Sequence, residues 1–344
     1  MAIEAREGTR QCADFVTLAR VQPLRRAYEW VVSRRWALVT IQLTALGVLL
    51  FFLGWAFRGA WEEAKPLLRH ADLSDVAIST AILAAYYLLF TVGWQRILRA
   101  WGLRIPYFLA LQAEMASVLA KYVPGTVWIP AARIAALRRV GIHKGPLIIA
   151  SMLMEAGLSA LAGILVFFVS LTTVGFSSAP VLPLLALALL VAVGLHPRIF
   201  TPGIRRVMRR FGGADLPVLP YSTMLGLIVY YSFTWLVGGT AIWFLLRSLG
   251  GDPDVKDIPY LGGVAAVSAI VAVLSLITPS GLGVREASMY GLLVAITSDG
   301  VAFGVTVLNR LTITIVEAVL LLAAALAWRY LPHPRLEPEP DTGP

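Results

Sequence analysis

The chain has 344 residues, 58% of them apolar or aromatic and 14% charged, with a formal net charge of +9. Soluble domains carry about 25% charged residues, so a mean hydropathy of +0.76 excludes a soluble globular domain and any disordered or fibrous class. The basic surplus is explained by membrane topology, without nucleic acid. One cysteine, Cys12, makes no intrachain disulfide, and four scattered histidines make no ligand cluster. No phosphate-binding loop is present, so ATP hydrolysis is not expected; with no ligand cluster either, no metal site and no cofactor are expected.

Residues 1–35 carry seven arginines and no apolar run, so no signal peptide is expected. Phe15, Leu18, Val21, Leu24, Tyr28 and Val31 recur every three or four residues among those arginines. That spacing predicts a basic amphipathic helix on the inner membrane face. Six stretches, 36–57, 74–95, 146–171, 179–195, 221–247 and 300–328, are apolar enough to cross a core of roughly 30 Å. Two more apolar regions are broken. Region 106–132 is interrupted at Pro124 and Gly125, and 258–298 breaks at Pro279-Ser280-Gly281-Leu282-Gly283. Proline lacks the N–H that a helix needs and glycine relaxes φ. The resumed segment 284–297 would span only about 21 Å as a helix. Both regions therefore read as re-entrant hairpins.

Lys and Arg stay on the cytoplasmic side. With both hairpins re-entrant, most of the 29 fall inside, in the N-terminal tail, 96–104, 138–144, 198–210 and after 328. Arg58, Lys65, Arg69, Arg247 and Lys256 fall outside, and both termini are expected in the cytoplasm. The predicted fold is an all-α polytopic membrane protein with six full spans and two broken hairpins. Its halves, 36–171 and 179–328, each read span, span, hairpin, span. Three crossings per half make the second copy inverted, as in secondary transporters. Glu155 follows Pro124 at the same interval at which Arg310 follows Pro279. The proline-rich tail 329–344 is expected to be disordered.

A charge at membrane depth costs at least about 2.5–3.5 kcal/mol on insertion scales, so it normally faces protein or water and has a partner. The candidates are Glu114, Lys121, Arg133, Glu155, Arg285, Glu286, Arg310 and Glu317. In one reading Lys121, Arg133, Arg285 and Arg310 surround the two breaks as a cationic midplane pocket. Helix N-termini freed at Pro124, Gly125, Pro279, Gly281 and Gly283 would add donors for a lipid phosphate. In the other reading the charges lock the hairpins: Arg310 with Glu155, Arg285 with Glu286 or Glu317, and Glu114 with Lys121. Glu155 and Glu317 could instead relay protons or bind a cationic amine. Loop 196–210 should rest on anionic inner-leaflet lipids. Trp55, Trp61, Trp94, Trp101, Trp128 and Trp328 read as interfacial belts. Ala156, Ala160 and Gly163 would permit close helix contact in a homodimer.

Lys121-Tyr122-Val123-Pro124-Gly125, followed by Arg133 and Arg138-Arg139-Val140-Gly141-Ile142, resembles the first signature of the lysylphosphatidylglycerol synthase transmembrane-region family. Thr278-Pro279-Ser280-Gly281-Leu282-Gly283-Val284-Arg285-Glu286, with Arg310 after it, resembles the second. Ser280 stands where that family usually has glycine, and Ile129-Pro130-Ala131-Ala132 replaces a glycine-containing turn. The resemblance covers roughly 36–328 and implies lipid flipping, here without the fused aminoacyl-transferase domain of the best-known members.

The expected function is a stand-alone, non-enzymatic flippase of the cell membrane, working by alternating access. Its substrate would be an anionic-headgroup lipid, either an aminoacyl-phospholipid or a polyprenyl-phosphate-linked sugar. One alternative is a polyprenyl-phosphate-dependent glycosyltransferase, for which Asp72, Asp75, Asp252 and Asp254 show no site-like spacing. Another is an accessory subunit docked on a lipid-modifying synthase.

Overall fold

A computed structural model describes residues 58–121, 128–174, 219–275 and 281–330, with a few positions between 189 and 206. The expected span 36–57, most of 179–195, the N-terminal tail, the residues after Tyr330 and the breaks at Pro124, Gly125 and Pro279 lie outside these residues. Among the described residues every regular element is helical: α1 (Arg58–Arg69), α2 (Leu73–Ala100), α3 (Tyr107–Ala120), α4 (Trp128–Arg138), α5 (Gly145–Val174), α6 (Tyr221–Ser248), α7 (Ile258–Leu274), α8 (Val284–Leu293) and α9 (Asp299–Tyr330). Five stretches of 20 to 29 residues are long and apolar enough to cross a membrane. Four match the expected spans 74–95, 146–171, 221–247 and 300–328. The fifth, Val255–Leu274, is the first limb of the expected second hairpin, so that limb is span-length by itself.

Two boundaries differ from expectation. The first broken region runs on to Arg138, because Ile134 and Leu137 continue an apolar face that packs into the cluster of Leu103, Leu109 and Ile148. Helix α1 has no counterpart among the expected elements. It buries Ala60 and Ala64 against the start of α9, where Trp61 meets Phe303 edge-on and Gly300 sits under Glu63. Twelve residues with a polar outer face carry no span signal, so hydropathy passes over them.

The helix directions follow from contacts at the two ends. At one end the Asp72 N–H donates to Ser248 O (2.9 Å), Arg247 lies 3.5 Å from Asp75, and the Tyr260 hydroxyl donates to Leu292 O (2.8 Å). Asp72 also caps α2, and hydrogen bonds from Ser74 hold its carboxyl below the ordinary value. At the other end Gln95 reaches Ile105 O (2.8 Å), and Leu103, Ile105, Leu137, Val140 and Ile142 share one buried cluster. Thus α3 and α4 begin and end at the same end of the bundle. Helices α7 and α8 likewise form an antiparallel pair that opens at the opposite end. The segments with surplus Lys and Arg at 96–104 and 138–144 gather at the α3–α4 end, and Arg58, Arg69 and Arg247 at the other.

Packing is densest among α2, α5, α6 and α7. Ala150, Met154, Leu158, Ala162 and Val166 line one face of α5 at four-residue steps against Tyr231, Trp235 and Ala266. Gly239 and Gly262 bring α6 and α7 into backbone contact. A Cβ on Gly239 would lie 2.4 Å from Ile258 O, and one on Gly262 would lie 2.6 Å from Trp235 O. Small residues set such approaches where the solvent itself is apolar. Gly262→Ala is expected to cost about 1–3 kcal/mol through overpacking, read as a lower melting temperature in detergent. Gly226→Ala, whose Cβ position is open, should leave melting unchanged. Outward faces are apolar instead of charged: Leu311, Ile315, Val319, Leu322 and Leu326 form an exposed stripe along α9.

Candidate functional site

The ionisable residues singled out from sequence sit inside this bundle. Glu114, Arg133, Glu155 and Glu317 are each at most 7% exposed. Arg133 is the hub of the first group. Its Nη1 donates to Glu155 Oε2 (3.0 Å), its Nε donates to Ser117 Oγ (3.1 Å), and its Nη2 lies 3.7 Å from Glu114 Oε1. The Trp94 ring covers the guanidinium at 4.3 Å. One side chain thus joins α4 to α2, α3 and α5. The planar five-donor fork of arginine suits this role, which a single ammonium could not fill.

The second group lies between α3, α8 and α9. Lys121 pairs with Glu317, which also accepts from the Tyr87 hydroxyl. Arg310 Nη1 lies 3.5 Å from Glu286 Oε1. The other oxygen of Glu286 accepts from the Gly283 N–H at 2.7 Å and caps α8. Gly281 and Gly283 reach this turn with φ of 66° and 83°, a left-handed backbone that glycine adopts without strain. Gly281 also lies so close to α7 that a Cβ would stand 2.4 Å from the Ala272 Cβ.

These pairings correct three sequence expectations. Glu155 meets Arg133, and Arg310 meets Glu286, so Glu155 and Arg310 are not partners. Glu317 is held by Lys121, leaving Glu114 to Arg133. Finally, Arg285, expected to pair with Glu286 or Glu317, does neither, since Glu286 meets Arg310 and accepts from the Gly283 N–H at the start of α8 while Glu317 meets Lys121. Each expected partner was chosen by sequence interval or by charge alone, whereas packing of α4 on α5 and of α3 on α9 decides which groups meet.

A cavity of about 210 Å³ lies between the two short-helix pairs. Its walls are aromatic, from Tyr86, Tyr87, Phe90 and Trp235, and its charged lining is Glu114 and Arg285. Among the described residues Arg285 has no carboxylate within ion-pair distance. Four bases face four acids here, so the strongly cationic midplane expected from Lys121, Arg133, Arg285 and Arg310 reduces to one uncommitted arginine. Sequence reasoning missed the aromatic walls, since lining and lipid-facing aromatics look alike in an apolar run. It also placed Trp94 and Trp101 at an interface, whereas both are buried, Trp94 completely. Trp61 and Trp128 remain exposed. Among the described residues no three His, Cys, Asp or Glu side chains gather closely enough to hold a metal ion.

Span-length apolar helices, outward apolar stripes and ion pairs turned inward define a multi-pass α-helical membrane protein. Residues 42–331 match the family model described as the lysylphosphatidylglycerol synthase TM region. The chain belongs to that family. No curated protein matches the chain.

Proposed function

We propose that the protein moves an anionic-headgroup lipid between the leaflets of the cell membrane by alternating access. The observation that carries this reading is Arg285, a cation on the wall of an interior cavity with no carboxylate partner among the described residues. A lipid phosphate leaving the headgroup layer loses hydration, and that cost must be offset along its path. A guanidinium in a water-poor cavity offers two parallel donors to a phosphate. Family membership supports a lipid-related role. The antiparallel pairs α3–α4 and α7–α8 open at opposite ends, which suits re-entrant hairpins of an inverted repeat that rock about a central site. At about 210 Å³ the cavity is below the roughly 300–1,000 Å³ of a site for a drug-sized ligand. It would hold the phosphate region, with the lipid tails remaining in the bilayer.

Leaflet exchange tests the proposal. Purified protein reconstituted into liposomes should accelerate exchange of fluorescent anionic phospholipids over neutral ones of equal chain length. Exchange of every labelled lipid at the protein-free rate, with the protein folded by size-exclusion chromatography, would reject it.

A further inference from the structure

The Arg133 group carries one negative charge too many. A single guanidinium faces two buried carboxylates, one on α3 and one on α5. Four buried side-chain atoms have no hydrogen-bond partner among the described residues, and three of them belong to this neighbourhood: Glu114 Oε2, Glu155 Oε1 and the Tyr231 hydroxyl. Every element around the carboxylates contributes a group. Helix α2 brings Tyr86 and Thr91, α3 brings Tyr107, α4 brings Arg133, α6 brings Tyr231, and α8 brings Arg285 to the lining of the adjoining cavity. Arg133 and Arg285 are the cations in that set, and Arg285 stands against the cavity, away from the Arg133 hub. Two carboxylates facing one guanidinium in a low-dielectric interior are costly to keep ionised together.

Glu114 is also the one carboxylate on the lining of the cavity whose one lining cation is Arg285. Ionised, it repels an incoming phosphate. Protonated, it leaves the positive field of Arg285 uncompensated. We propose that Glu114 and Glu155 share one exchangeable proton, loaded through the cavity, and that its uptake admits the anionic headgroup to Arg285. Proton and lipid then cross together. The proton comes from water on one side, forms an O–H bond on Glu114 and returns to water on the other side. The coupling rests on the translocase reading above, whereas the proton site rests on the buried geometry alone.

Two measurements separate these. Infrared difference spectra of purified protein, taken between alkaline and acidic pH, should show one protonated-carboxyl C=O stretch. That band should be lost in Glu114→Gln and in Glu155→Gln alike, because a shared proton needs both. A band that survives in both variants, or is absent from the wild type, overturns the site. Glu114→Gln leaves a balanced Arg133–Glu155 pair and should melt no lower than the wild type. In wild-type proteoliposomes, a gradient of about one pH unit should shift the distribution of a labelled anionic lipid up to about tenfold for one proton per lipid. Wild-type exchange that ignores the gradient overturns the coupling. If the wild type exchanges no lipid while the band behaves as described, the proton site stands and the translocase reading falls.

Discussion

Arg285→Gln is expected to bring lipid exchange down toward the protein-free rate while the protein remains folded. Truncating the partner of a desolvated charge costs about 2–5 kcal/mol, equivalent to roughly 30-fold to several thousand-fold in rate. Folding is spared because Arg285 makes no ion pair among the described residues, and Gln keeps most of its volume. Arg310→Gln behaves differently. It strands Glu286, whose other oxygen caps α8 at Gly283, so its first effect is a lower melting temperature. Activity and melting measured on both variants distinguish the roles. Wild-type exchange by well-folded Arg285→Gln would leave the cavity without a function in transport.

Arg133→Gln is the most destabilising single change expected in the bundle. It abandons Glu114 and Glu155 in the interior, removes the bond to Ser117 and empties the face of Trp94. Breaking a buried ion pair from one side costs about 3–5 kcal/mol, and the lost cation–π contact adds about 0.5–2 kcal/mol. Arg133→Lys recovers little, since an ammonium cannot reach three acceptors in one plane. A double-mutant cycle reads the contact directly. Glu155→Gln combined with Arg133→Gln should be milder than the sum of the two losses. Glu155→Gln combined with Arg310→Gln should be additive, because these side chains belong to different groups. Coupling in the second cycle would mean that the pairings are exchanged.

Four of the expected spans and the charges buried among the described helices were legible without a structure because both are local signals. An apolar run of about twenty residues is measured along the chain, and a charge within it is costly wherever the helix lies. Grouping of the basic and the sparsely basic loops at opposite ends was readable for the same reason. The two signature segments carried the family by themselves. Partner choice was not legible. Glu317 pairs with Lys121 across 196 positions of sequence, and Tyr87 reaches Glu317 across 230. No interval or charge count encodes such contacts. Helix α1 was hidden because twelve residues are too few to span a membrane, and it takes its place from the surface of α9. Trp94 carried the same amphipathic signal as an interfacial tryptophan until α4 placed a guanidinium on its ring. Sequence alone therefore determined that the chain is a helical membrane bundle with charges at depth. Only the tertiary structure decided that those charges are nearly balanced, that Glu286 caps its own helix at Gly283, and that, among the described residues, Arg285 lines the cavity without a carboxylate partner. The reason is physical: burial cost is a property of each residue, but the compensation of a charge depends on which other helix packs beside it.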